Sequence, residues 1–250
     1  LGSSGAVYVA SVDAGRAGNS ADVNIHTGIA SKGSAGNIIL QTGAGATGKG
    51  GSLRVAVGDS GVTDGGNVVV SSGSTTADGR QGGLLKITSG HGESKNRANG
   101  GNGGDFYISA GSSAGTAKTK NRGGSLRLSG GAAAGGGGGN VLIKSGSTRE
   151  YASGRIQVST SDSGPSGTSG ELVLATGEST LMDSGSLTFR SGASKRGAAG
   201  KVYLDAGGSD SGLGGDIEIA AGSTQHGLKA GDIRMNSGLG EDSNSGNVFV

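Results

Sequence analysis

The sequence predicts an all-β protein, a parallel β-solenoid with essentially no helix. Three observations predict it. A glycine-bounded unit, with two aliphatic residues two apart, recurs mostly every 15 or 16 residues. Self-similarity at a fixed period marks stacked repeat architectures. The aliphatics alternate with other residues at a period of two, which is a strand with one buried face. Nothing keeps helical spacing for even two turns.

The first inward aliphatic of each unit falls at Val7, Val23, Ile38, Leu53, Val68, Leu85, Phe106, Leu126, Val141, Ile156, Leu172, Leu187, Val202, Ile217, Ile233 and Val248, which makes sixteen repeats. The second follows two residues later, as in Val9, Leu40, Ile108, Phe189 and Val250. Two residues further stands a small side chain, such as Thr42, Ser72, Ser89, Ser145, Ser191, Ala206 or Ala221. It lets the chain turn where the core thins. Glycine follows because a turn needs positive φ or a close backbone approach.

The residue between the two aliphatics points the other way and carries a second pattern. In odd repeats it is Tyr8, Ile39, Val69, Tyr107, Leu142, Val173 and Tyr203. In even repeats it is Asn24, Arg54, Lys86, Arg127, Gln157, Thr188 and Glu218. Two repeats therefore form one flattened coil of about thirty residues, with odd strands in one sheet and even strands in the other. The phase slips near the end. Residues 232–235 read like the even repeat at 216–219, and residues 247–250, with Phe249 between the aliphatics, read like an odd one. The whole chain, 1–250, is expected to be one repetitive domain, a processed product or a segment of a longer array.

The odd stripe is apolar on its outside, as in a strand covered on both faces. Three of the four tyrosines lie on it. A contiguous apolar patch marks an interaction surface. Tyr8, Ile39, Val69, Tyr107, Leu142, Val173, Tyr203 and Phe249 are thus the expected interface with other copies of the chain. Strand edges left open at the two ends invite end-to-end contacts as well as lateral ones. The even stripe offers a basic face, Arg54, Lys86 and Arg127. Two longer arcs, Gly90–Gly104 and Gly111–Gly124, carry Lys95, Arg97, Lys118, Lys120 and Arg122. These basic groups would suit an adhesin or a carbohydrate-binding rod, with polysaccharide as the partner.

Composition excludes several classes. Of 250 residues 58 are Gly, one is Pro and none is Cys. Glycine does not fall at every third position, so the chain is not collagen. Without cysteine there is no disulfide framework and no thiolate metal site. The formal charge of +2 does not argue for nucleic acid. No run of eighteen apolar residues exists to span a membrane. The segment Gly43–Gly48 fits the dinucleotide fingerprint, but it leads into another strand, Ser52–Val57, and not into a helix N-terminus. Lys49 is followed by Gly50 where a P-loop has its hydroxyl. Gly111–Gly115 fits a nucleophile elbow without the strand–turn–helix it requires, and His26, His91 and His226 lie in unrelated repeats. The stretch 100–107 fits a single calcium nonapeptide with no tandem copy, and Asp22, Asp105, Asp216 and Asp232 each open a strand. No catalytic residue, no metal site and no cofactor is expected, and the chain is not read as an enzyme.

The form Gly-Gly-Asn-Val-Val-Val-Ser-Ser-Gly at Gly65–Gly73, repeated in kind at Gly138–Gly146, resembles the glycine-rich repeat arrays of extracellular fibres and surface proteins of algal or viral and phage-fibre type. The likeness is one of repeat grammar along the whole chain. It implies a β-solenoid with a structural role outside the cell or on a virion surface, and it carries over no site residues. Insect β-helical antifreeze proteins are a second likeness. They present a regular outward threonine array, whereas Thr27, Thr42, Thr160 and Thr176 are sporadic and phased inward.

Overall fold

The computed structural model describes residues 4–16, 18–96, 98–117, 120–225, 227–240 and 244–250. Arg97, Lys118 and His226 lie outside the described residues. The chain divides into two units, Leu1–Arg127 and Leu128–Val250. Each is built the same way.

Among the described residues there is neither a helix nor a strand. This corrects the predicted parallel β-solenoid of two facing sheets. The repeat is real, but it organises arcs and not ladders. Each aliphatic triplet is an extended segment that makes no backbone bond of its own, as in 38–40, 68–70 and 141–143. The backbone bonds among the described residues are confined to tight turns and to the necks of arcs. Folded chains ordinarily carry about one hydrogen bond per residue.

The arcs close by one recurrent contact. The N–H of the glycine that opens a segment donates to the carbonyl of the glycine that ended the previous one. In the first unit Gly51 donates to Gly43 at 3.1 Å, Gly83 to Gly73 at 2.8 Å, Gly104 to Gly90 at 2.9 Å and Gly124 to Gly111 at 2.8 Å. In the second, Gly139 donates to Gly131 at 2.8 Å, Gly154 to Gly146 at 3.0 Å, Gly215 to Gly207 at 2.9 Å, Gly231 to Gly222 at 2.9 Å and Gly246 to Gly238 at 3.0 Å. The two longer arcs, 90–104 and 111–124, are closed by the same bond as the short ones.

Glycine at these necks answers close approach. A Cβ placed on Gly51 would stand 2.8 Å from the Cβ of Thr42. On Gly200 it would stand 3.1 Å from the Cβ of Ser191, and on Gly215 3.3 Å from the Cβ of Ala206. Positive φ is a minor use of glycine here. Among the described residues it occurs only at Gly79 and Gly227, both inside arcs.

No described residue is buried. The few that are half-buried are Ser11, Ser89, Ser145, Ala206 and Gly240. The first four occupy the small-residue position two places after the second aliphatic. The tightest packing in either unit is therefore at the necks.

Candidate self-association surface

The aliphatic pairs are partly covered from one side. Ile38 is 51% exposed, while Ile39 beside it, pointing the other way, is 78% exposed. Val57, at a neck facing Gly66, is 46% exposed. The alternation read from the sequence is present in the side-chain directions. A dry interior between two walls is not.

The predicted interface residues are all exposed. In the first unit these are Tyr8, Ile39, Val69 and Tyr107; in the second, Leu142, Val173, Tyr203 and Phe249. Tyr8 is 90% and Tyr203 81% exposed. No described part of the same unit covers them. Tyr107 donates its phenolic hydrogen to the Asp105 carboxylate at 3.1 Å, which orients the ring without covering it.

Arg54, Lys86 and Arg127 stand exposed on three separate segments of the first unit. The described basic groups of the long arcs, Lys95, Lys120 and Arg122, are exposed as well. Among the described residues no pocket is found, and no group of three acidic, histidine or cysteine side chains is placed to share an ion. Of the four aspartates that open a segment, Asp232 spends one carboxylate oxygen on Lys229 Nζ at 2.8 Å and on Arg234 Nη2 at 2.9 Å. The Lys229 and Arg234 hydrogen bonds hold its carboxyl below the usual aspartate range.

One device inside the arcs is not part of the sequence reading. Two residues after the glycine that ends a segment, a hydroxyl accepts the backbone N–H three residues on. Ser60 accepts from Thr63 at 3.0 Å, Thr148 from Tyr151 at 3.3 Å, Ser179 from Met182 at 3.2 Å, Ser194 from Gly197 at 3.0 Å and Ser209 from Gly212 at 2.8 Å. The signal is legible as Gly-x-Ser/Thr at 58–60, 146–148, 177–179, 192–194 and 207–209. Serine and threonine do this because a short hydroxyl side chain mimics a backbone turn. In the longest arc Asn96 Oδ1 takes over, accepting from Ala98 at 2.9 Å and Asn99 at 3.2 Å.

The arcs opening at Gly146 and Gly207 are thus stapled twice, at the neck by glycines and within by a hydroxyl, and the longest arc by its neck and by Asn96. Between the arcs stand apolar segments, partly covered on one side, whose backbone groups have no partner within either unit among the described residues. No family model, no curated protein and no solved structure matches this chain.

Proposed function

We propose that the protein is a structural subunit that associates with copies of itself into an extracellular filament or surface fibre. The observation that carries this reading is the exposure of every large apolar side chain in the described residues, including the phased set from Tyr8 to Phe249. Fixing the backbone of one residue costs about 1–2 kcal/mol. Burial of apolar area is the dominant favourable term in folding and in association. A chain that orders its arcs but buries no side chain among its described residues needs a partner to supply that area. The partner must offer apolar groups at the spacing of these segments, and other copies of the chain do so.

Sedimentation velocity over a concentration series, with negative-stain electron microscopy of the same samples, tests the reading. Assembly that rises steeply with concentration and yields filaments of uniform width is expected. A monodisperse monomer at the highest concentration attainable would overturn it.

A further inference from the structure

We propose that the extended segments are completed by backbone pairing between copies. A second chain would lie in register on the first, so that each segment's N–H and C=O groups bond to the same segment of the copies above and below. The proposal rests on the filament reading and specifies how the subunits are bonded.

The geometry of the necks points to it. In a paired sheet, opposite residues on neighbouring strands keep their Cβ atoms about 4.5–5.5 Å apart, side by side. At the necks the small residue and the glycine direct their Cβ positions at one another. The separations are 2.8 Å for Thr42 and Gly51, 3.2 Å for Ser72 and Gly83, and 3.3 Å for Ser145 and Gly154. Successive segments therefore meet through their side-chain faces. The side chains of an extended chain lie across one axis and its backbone polar groups along another. Apart from the one glycine N–H and the one glycine C=O that close a neck, this contact lies along the first axis and leaves the second open. Unpaired extended backbone is a template for another chain.

The occupant is fixed by irregular spacing. Along the chain the arcs close between 43 and 51, 73 and 83, 90 and 104, and 111 and 124. The open backbone recurs on that uneven series. Within the first unit a partner has to match it at every segment at once, long arcs included, and the same unit of another copy in register does. In register each residue lies on itself. Val stacks on Val and Asn on Asn, as in the side-chain ladders of cross-β assemblies. Glycine necks raise no obstacle along the stacking axis. Identical charges also stack, which opposes assembly. Charged residues are 16% of the chain, below the usual share of about 25%, and none occupies an inward aliphatic position.

The test uses the full chain. Aligned filaments should give an axial X-ray reflection at about 4.7–4.8 Å. The sequence contains no cysteine, so Asn24→Cys and Thr188→Cys, one in each unit, each give a single nitroxide site. In-register stacking brings identical labels within one strand spacing and collapses the electron spin resonance spectrum to an exchange-narrowed line. The axial reflection from unlabelled filaments with that line from the labelled ones supports the proposal. Filaments lacking the axial reflection, or with separated hyperfine lines at both sites, overturn it and leave the filament reading standing. Absence of any assembly overturns both. If neither labelled variant assembles, the diffraction of the unlabelled chain decides alone.

Discussion

Thr42 and Gly51 meet face to face across the neck of an arc. The Thr42 hydroxyl donates to the Gly51 carbonyl at 3.2 Å, and a Cβ on Gly51 would fall 2.8 Å from the Cβ of Thr42. The same pairing of a small residue with a glycine recurs at necks of both units. It explains how a chain with no buried side chain among its described residues still follows a repeating path.

Gly51→Ala should therefore weaken assembly. Overpacking of this kind costs about 1–3 kcal/mol, which raises the threshold concentration roughly 5- to 150-fold. Thr42→Gly in the same chain should restore most of the loss, since the two side chains compete for one space. Gly58→Ala is the control, because a Cβ there meets nothing within 4 Å. Light scattering against concentration reads all three, and an equal effect of Gly51→Ala and Gly58→Ala would refute the neck as the organising contact.

The odd apolar stripe is tested by Tyr107→Lys combined with Tyr203→Lys. Each removes roughly 1.5–3 kcal/mol of apolar burial in the assembled state. Together they should raise the threshold concentration at least about 100-fold. Tyr107→Phe should assemble normally if the ring's area matters and its bond to Asp105 does not. Unchanged assembly of the double lysine variant, with amide exchange in the arcs unaltered, would remove the stripe from the interface.

Charge on the even stripe should act through ionic strength. Stacked copies place Arg54, Lys86 and Arg127 on their own counterparts. Screening shortens the range of that repulsion from about 30 Å at 0.01 M salt to about 8 Å at 0.15 M. Assembly is expected to be slower at the lower salt. Replacing all three with glutamine should flatten the dependence, measured by the elongation rate. Were these residues a polysaccharide site instead, the triple variant would lose retention on an anionic polysaccharide column and keep its salt response.

Asp232 offers a pH test with a definite sign. Its carboxyl is held below the usual range by hydrogen bonds from Lys229 and Arg234. A lowered native pKa means that the ion pairs contribute fully above the unfolded value. The contribution is lost as pH falls through the native one. The 38% exposure of the carboxylate makes the effect small. Carbon-detected NMR of the Asp232 carboxyl should give a midpoint below the usual aspartate range. Lys229→Ala with Arg234→Ala should return it to the ordinary range.

Much of this molecule is legible in the sequence. Ile38 and Leu40 are less exposed than Ile39 between them, in keeping with a period of two, and the glycine that follows the small residue at Thr42 closes an arc. The bounds of the long arcs, Gly90–Gly104 and Gly111–Gly124, are the bounds of real closing bonds. These features are local. Alternation and glycine placement set backbone direction and closeness of approach wherever the chain goes. The hydroxyl staples at Ser60 and Ser209 were equally local and could have been found from Gly-x-Ser.

Backbone partnership is not local, and only the tertiary structure decides it. A period of two says that a segment is extended. It does not say whether the N–H of Ile39 bonds within the chain, to another chain or to water. The predicted solenoid assumed that segments two repeats apart stack edge to edge. That pairing is absent: no described segment pairs its backbone within the chain. Sequence by itself determined the rhythm, the side-chain directions and the glycine joints. Tertiary structure decided that the hydrogen-bonding edges of the described segments stay unpaired within the chain, because pairing needs segments two repeats apart to come within one strand spacing.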